Sequence, residues 1–177
     1  MKKFPTLLLT CAFAIPMFAA DTATKVAPPA PAKSDAPSAA ILPASAAVVT
    51  APLVLKDGAI THPETTELDA GGKAVFTFTV AKAGNYVIHA VVNAPDEESN
   101  SFFLNIDAKP EDPLMIWDME VTKGFEERIV SWRGNGDSSA DEFAPKRFAL
   151  TAGEHKLILV GREPALLKSV SIRPATN

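Results

Sequence analysis

The chain has 177 residues, of which 17 are lysine or arginine and 21 are aspartate or glutamate, so its formal net charge at pH 7 is −4. Apart from the pairs Lys2-Lys3 and Lys146-Arg147, the basic residues are scattered singly among acidic ones. Nucleic acids and anionic membrane surfaces are bound by clustered cations, and we therefore expect no nucleic-acid partner.

The first 20 residues have the order of a secretory signal peptide. Met1-Lys2-Lys3 precedes a mostly apolar run that is too short to span a bilayer. We predict a cleaved signal over residues 1–20, no stable membrane anchor, and a periplasmic or extracellular protein. The only cysteine, Cys11, lies in this run after Thr10 rather than after a small residue, so we interpret it as part of the signal and not as a lipidation site. Cleavage would leave a mature chain with no disulfide, thiol nucleophile or zinc–thiolate site.

Residues 21–52 are dominated by alanine and proline. Such a stretch cannot bury enough apolar surface to offset its loss of chain entropy on folding. We predict a disordered, semi-stiff linker here. Two short apolar runs, 40–42 and 46–49, could dock against the domain that follows.

Residues 53–174 alternate apolar and polar side chains with a period of two, which is typical of half-buried strands. The clearest strands are 73–80 and 86–92, which we expect to form a hairpin or to be near neighbours. Further strands are predicted at 101–107, 114–118, 127–132, 146–150, 155–160 and 167–172. This pattern predicts a single all-β domain, an antiparallel β-sandwich.

The sequence contains none of the common catalytic signatures, neither a nucleophile elbow nor a phosphate-binding or dinucleotide-binding loop. We predict a protein with no enzymatic activity, no catalytic residues and no cofactor, although a fold alone does not exclude a grafted active site. His62, His89 and His155 stand alone, and we interpret each as a solvated or hydrogen-bonded histidine rather than a metal ligand. The acidic run 96–98 could offer oxygen ligands to calcium, and we interpret it as a solvated loop.

An indole and a guanidinium stand together at Trp132 and Arg133, before a turn rich in glycine and asparagine. Aromatic rings pack on the apolar faces of sugars, and Arg and Asn donate hydrogen bonds to their hydroxyls. The candidate ligand-binding residues are therefore Trp132, Arg133, Asn100 and Arg162. Alternatively, Trp132 is a core residue at the end of a strand, and the exposure of its ring distinguishes the two interpretations.

Three sequence features carry a family resemblance. They are the Asn-Ser-Phe-Phe strand that leads to Asp107, the Leu-x-Ala-Gly-x-His-x-Leu turn at 150–157, and the Arg-Glu pair after Gly161. Together they resemble the galactose-binding-like jelly rolls of carbohydrate-binding-module families six and thirty-five. The resemblance covers nearly all of residues 53–174. It implies a jelly-roll fold and a non-catalytic module that binds a polysaccharide or another glycan.

The chain departs from this family pattern at two places. Many members hold a structural calcium with carboxylates near the first and last strands, whereas Lys56 and Lys168 stand at the matching positions here. An ammonium cannot coordinate a cation, so we expect no metal site. The Trp-x-Trp pattern of many members is represented only by residues 125–127, Phe-Glu-Glu. Two kinds of partner therefore remain open: a glycan, or an envelope protein bound by a structural or interaction module built on a degenerate sugar-binding scaffold.

Overall fold

The computed structural model describes residues 40–133 and 144–176. All of them lie in the second of the two units into which the chain divides, residues 35–177. The predicted signal peptide and residues 21–39 of the predicted linker are outside the described residues. The described part consists of two antiparallel sheets and one short 3-10 turn, which confirms the predicted all-β sandwich. No helix in it is long and apolar enough to cross a membrane.

The larger sheet, which we call sheet A, contains seven of the described strands. They are β1 (Ala40–Pro43), β3 (Val54–Lys56), β4 (Ala59–Thr61), β6 (Gly84–Asn93), β9 (Glu126–Ile129), β10 (Phe148–Leu150) and β12 (Leu166–Pro174). Strands β6 and β12 are the long central pair, and their register runs from Leu166 opposite Asn93 to Pro174 opposite Tyr86. Strands β9 and β10 pair with β6, while β1 and β4 pair with β12 and β3 pairs with β4.

The smaller sheet, sheet B, contains five strands. In spatial order they are β2 (Val48–Thr50), β5 (Lys73–Val80), β11 (Gly153–Gly161), β7 (Ser101–Ile106) and β8 (Ile116–Asp118). The strand predicted over residues 73–80 is confirmed with the same bounds. The other predicted strands are present with ends that differ by a few residues, because turns and not hydrophobicity determine where pairing stops.

The inner faces of the two sheets form one apolar core. Strand β5 shows how the sequence builds it, because Phe76 and Phe78 are buried while Thr77 and Thr79 on the opposite face are exposed. Alternate side chains of a strand point to opposite faces, so the period of two places every second residue in the core. Burial of one such large apolar side chain stabilises the fold by about 1.5–3 kcal/mol.

Strands β5 and β6 do not form the predicted hairpin, since β5 belongs to sheet B and β6 to sheet A. Residues 81–83 carry the chain from one sheet to the other. Each strand already has partners on both sides, β2 and β11 for β5, and β12 with β9 and β10 for β6. Alternation shows that both strands bury one face, and it does not show whether those faces lie in one sheet or oppose each other.

In the described part of the chain, residues 40–50 already pair with the sandwich, ahead of the boundary predicted at residue 53. Strand β1 pairs with β12 in sheet A, β2 pairs with β5 in sheet B, and Ala44 in the turn between them is fully buried. Residues 40–50 therefore attach to both sheets, and we call them the N-terminal clip. The alanine and proline content of the clip predicts disorder. Composition does not reveal the pairing, because the strands that supply the clip's backbone hydrogen bonds lie far away in the sequence.

Candidate functional site

A polar cavity of about 420 Å³ opens where several strand ends meet. We call it the polar pocket. Its lining residues come from the loop before β7, the end of β8 and the loop after it, the residues past β9, and the connection between β11 and β12: Glu97, Asn100, Asp118, Met119, Glu120, Val121, Arg133, Arg162 and Glu163. Of the four residues predicted to bind a ligand, three line this one cavity.

Strand register in sheet B brings these residues together. Ser101 at the start of β7 lies opposite Asp118 at the end of β8. On the other side of β7, Phe102 lies opposite Gly161 at the end of β11. The residues that follow or precede these strand ends therefore converge at the same edge of the sandwich, although they are far apart in the sequence.

Arg133 is held in the pocket by Asp118. Its Nε donates to Oδ2 of Asp118 at 2.5 Å, and its Nη2 donates to Oδ1 at 2.9 Å. Asp118 is buried, while the guanidinium of Arg133 is exposed on its outer side. Two parallel charge-assisted hydrogen bonds fix the plane of a guanidinium, so they hold Arg133 in a defined orientation in the pocket.

Glu163 connects the other side of the pocket. Arg162 donates from Nη1 to Glu163 Oε1 and, at 2.5 Å, to Oγ of Ser101. The backbone N–H of Asn100 donates to Oε2 of Glu163 at 3.2 Å, and its side-chain amide donates to the carbonyl of Met119 at 3.0 Å. The charge of the buried Glu163 is thus neutralised, and Asn100 and Arg162 are positioned before any ligand arrives.

Trp132 does not belong to the pocket. It is only 9% exposed, and its Nε1 donates to the carbonyl of Leu104 at 2.9 Å. Its ring meets Phe148 edge-on at 5.5 Å between centroids, and Nζ of Lys146 lies 4.2 Å from the centroid. The structure thus supports the core interpretation, and the indole is not open for a sugar to stack on. A backbone carbonyl inside the core accepts the indole N–H, so an indole suits the core as well as the surface. The sequence alone could therefore not distinguish the two interpretations.

Asp118 and Glu163 are site residues that sequence reasoning missed. Each is a carboxylate that orients one of the predicted arginines. Glu163 directly follows Arg162, so an adjacent acidic residue was a usable signal. Asp118 carried no such signal, because only the pairing of β7 with β8 places it near Arg133.

Phe125 is the exposed aromatic residue of the described part of the chain, at 44%. It borders a separate cavity of about 240 Å³ together with Lys56, Thr61 and Leu166. Nζ of Lys168 lies 5.3 Å from the centroid of its ring. A cation over a ring face is attracted by the electrons of the ring, so this position already holds a positive charge.

The residues around Phe125 do not fit the calcium that the family resemblance implies. Lys56 on β3 and Lys168 on β12 stand at the two positions where the resemblance implies carboxylates. Within residues 40–133 and 144–176, no three His, Cys, Asp or Glu side chains gather to hold a metal ion. Calcium needs six to eight oxygen ligands, whereas Asp57 is the one carboxylate among the described residues that line this cavity and the two ammonium groups supply none.

All three histidines are hydrogen-bonded, as predicted, and Nδ1 of His62 contacts the carbonyl of Glu64. Nδ1 of His89 lies 3.0 Å from Oε1 of Glu127. Nδ1 of His155 lies 2.6 Å from Oδ2 of Asp107, and its Nε2 lies 2.9 Å from the carbonyl of Thr151. The hydrogen bond to Asp107 is the main cause that raises the pKa of His155 above its ordinary value. Each of the three histidines therefore has a partner within the fold.

Comparison with known proteins identifies the fold. No protein-family model matches the chain, and neither does any curated protein. Solved structures do match, and they show that the fold is the jelly roll of family 35 carbohydrate-binding modules.

Three of these structures illustrate the likeness. A family 35 carbohydrate-binding module from Clostridium thermocellum has a TM-score of 0.54 at 13% identity, with 78% of this chain and 99% of that chain covered. The family 35 module of Abf62 from Cellvibrio japonicus has a TM-score of 0.52 at 12% identity, covering 78% and 95%. A β-(1,4)-mannanase with such a module from Podospora anserina has a TM-score of 0.55 at 14% identity, with 81% of this chain but only 28% of that chain covered. At these identities the likeness shows the fold alone.

Proposed function

We propose that this chain is an exported, non-catalytic module that binds a polysaccharide or another glycan in the polar pocket. The observation that carries the proposal is the convergence of Asn100, Arg133 and Arg162 on one open cavity. The structural neighbours whose whole length is matched are described as carbohydrate-binding modules, which supports the same class of ligand for this chain.

The chemistry of the pocket suits a polyhydroxylated ligand. A sugar hydroxyl both accepts and donates hydrogen bonds, so it can accept from a guanidinium and donate to a neighbouring carboxylate oxygen. Arg133 with Asp118 and Arg162 with Glu163 each offer that pair of groups side by side. The volume lies in the range of roughly 300–1,000 Å³ that is typical of small-ligand sites.

Titration of the mature chain with soluble plant and bacterial polysaccharides tests the proposal. We expect Arg133→Gln to weaken binding about tenfold, since a lost charged hydrogen bond costs about 1.5–3 kcal/mol. The matched control is Lys109→Gln, which removes the same charge from a side chain that pairs with Asp69 outside the pocket. Failure of every polysaccharide in a broad panel to bind the folded protein would refute the proposal.

Export is a separate part of the proposal, supported by the basic and apolar order of residues 1–20. Cell fractionation followed by mass spectrometry of the mature N-terminus tests it. A protein that stays in the cytoplasm with Met1 intact would contradict export without affecting the proposed glycan site.

A further inference from the structure

The outer face of sheet A carries a second groove, whose lining residues differ from those of the polar pocket. Two adjoining cavities of about 140 and 320 Å³ share His89 and Arg173 as lining residues and so form one groove along β6 and β12. We call it the sheet A groove. Val87, His89 and Arg173 reach it because alternate residues of β6 and β12 point away from the core.

The walls of the groove are mainly apolar. Ile41 of the N-terminal clip lies on one side and is 72% exposed. Ile129, Pro145 and Pro174 line the other part, with Val87. No aromatic ring other than the imidazole of His89 is among the described lining residues, so the groove offers no stacking platform for a sugar.

Among the described lining residues of the groove, arginine side chains outnumber carboxylates. Arg173 donates from Nη1 and Nη2 to the two carboxylate oxygens of Glu127, at 3.1 and 2.5 Å. His89 contacts the same carboxylate. Hydrogen bonding to Arg173 is the main cause that lowers the pKa of Glu127, so this carboxylate stays ionised and balances the charge of Arg173.

Among the described residues, no carboxylate pairs with Arg147, which is the second guanidinium of the groove. It is exposed, and its Nη2 donates to the carbonyl of Thr176 at 3.0 Å. Within residues 40–133 and 144–176, no Asp or Glu forms an ion pair with it. The described lining of the groove therefore holds two guanidinium groups and one carboxylate, on a chain whose net charge is −4.

We propose that the sheet A groove binds an extended acidic segment of a partner protein. A carboxylate of the segment pairs with Arg147, and its aliphatic side chains pack against Ile129 and Pro145. Charge complementarity selects an acidic ligand, and the apolar lining without a stacking platform favours a polypeptide over a polysaccharide. This inference does not depend on the proposed glycan site.

Fluorescence anisotropy of the mature chain with a short labelled peptide, in which Glu alternates with Val and Ala, tests the proposal. We expect the peptide to bind, the same peptide with Gln in place of Glu to bind at least fivefold more weakly, and added salt to weaken binding. Arg147→Gln should weaken binding of the Glu peptide about fivefold, the size expected for one exposed ion pair. Lys109→Gln is the charge-matched control, and Arg133→Gln in the polar pocket should have no effect.

Three results would overturn the proposal. The first is no binding of the Glu peptide to the folded protein, and the second is equal binding by the Arg147→Gln variant or by the Gln peptide. The third concerns polygalacturonate, an acidic polysaccharide. The proposal is overturned if polygalacturonate displaces the peptide and also binds the original protein more tightly than it binds the Arg147→Gln variant. That outcome would assign the groove to an acidic glycan. Because the polar pocket variant serves as a separate control, failure here leaves the proposed function untouched.

Discussion

At the scale of single residues, the two ring nitrogens of His155 both face acceptors. One faces the carboxylate of Asp107 and the other faces the carbonyl of Thr151. A neutral imidazole carries one N–H and can satisfy only one of them, whereas the imidazolium satisfies both. The geometry therefore agrees with the raised pKa of His155, whose main cause is the hydrogen bond to Asp107.

This arrangement predicts a pH dependence of stability. Because the folded-state pKa of His155 is raised above the unfolded value of about 6.5, its contribution is fully present below that value and is lost as the pH rises through the folded pKa. The free energy of unfolding, measured by urea titration at a series of pH values, should fall over this range more steeply for the original chain than for His155→Gln. Identical pH profiles for the two proteins would contradict the prediction.

Residue types in the sequence predicted three residues of the polar pocket, but they did not predict all of its members. Arg133, Arg162 and Asn100 were predicted because they donate hydrogen bonds and stand near turns, and they do converge. Trp132 has the residue type of a sugar platform but lies in the core, because an indole suits both environments and only burial separates them. Asp118 was not predictable, since its role comes from register between two strands.

At the scale of elements, the N-terminal clip is the part of the sandwich that composition concealed. Its turn residue Ala44 is fully buried, while Ala46 nearby is exposed. Ala44→Leu should lower the free energy of unfolding by about 1–3 kcal/mol, because the larger side chain overpacks the core. Ala46→Leu adds the same atoms at an exposed site and should change stability little. Urea denaturation of both variants measures the difference, and equal midpoints would show that the clip is not packed as described.

Strands with strict alternation were predictable, and their partners were not. The alternation of Phe and Val with Thr located β5 to the residue. The assignment of β5 and β6 to different sheets depends on pairing with β2, β11 and β12, which lie up to tens of residues away. Local hydrophobicity carries no information about such long-range partners.

At the scale of the whole molecule, stability should not depend on calcium. The carboxylates implied by the family resemblance are replaced by Lys56 and Lys168, and the latter packs over Phe125. We expect the same melting temperature by circular dichroism with excess chelator and with added calcium. A fall in Tm on chelation that calcium reverses would show that other oxygens hold an ion.

The N-terminal clip also places the first described residue at a definite end of the sandwich. Ala40 lies opposite Ile172, near the end of β12, whereas Arg162 and Glu163 of the polar pocket precede the start of that strand at Leu166. At about 3.3 Å per residue, Leu166 and Ile172 are separated by roughly 20 Å along the strand. Ala40, the first described residue, and the polar pocket therefore lie toward opposite ends of β12. A long polymer that enters the pocket would meet the end of the sandwich that lies away from Ala40.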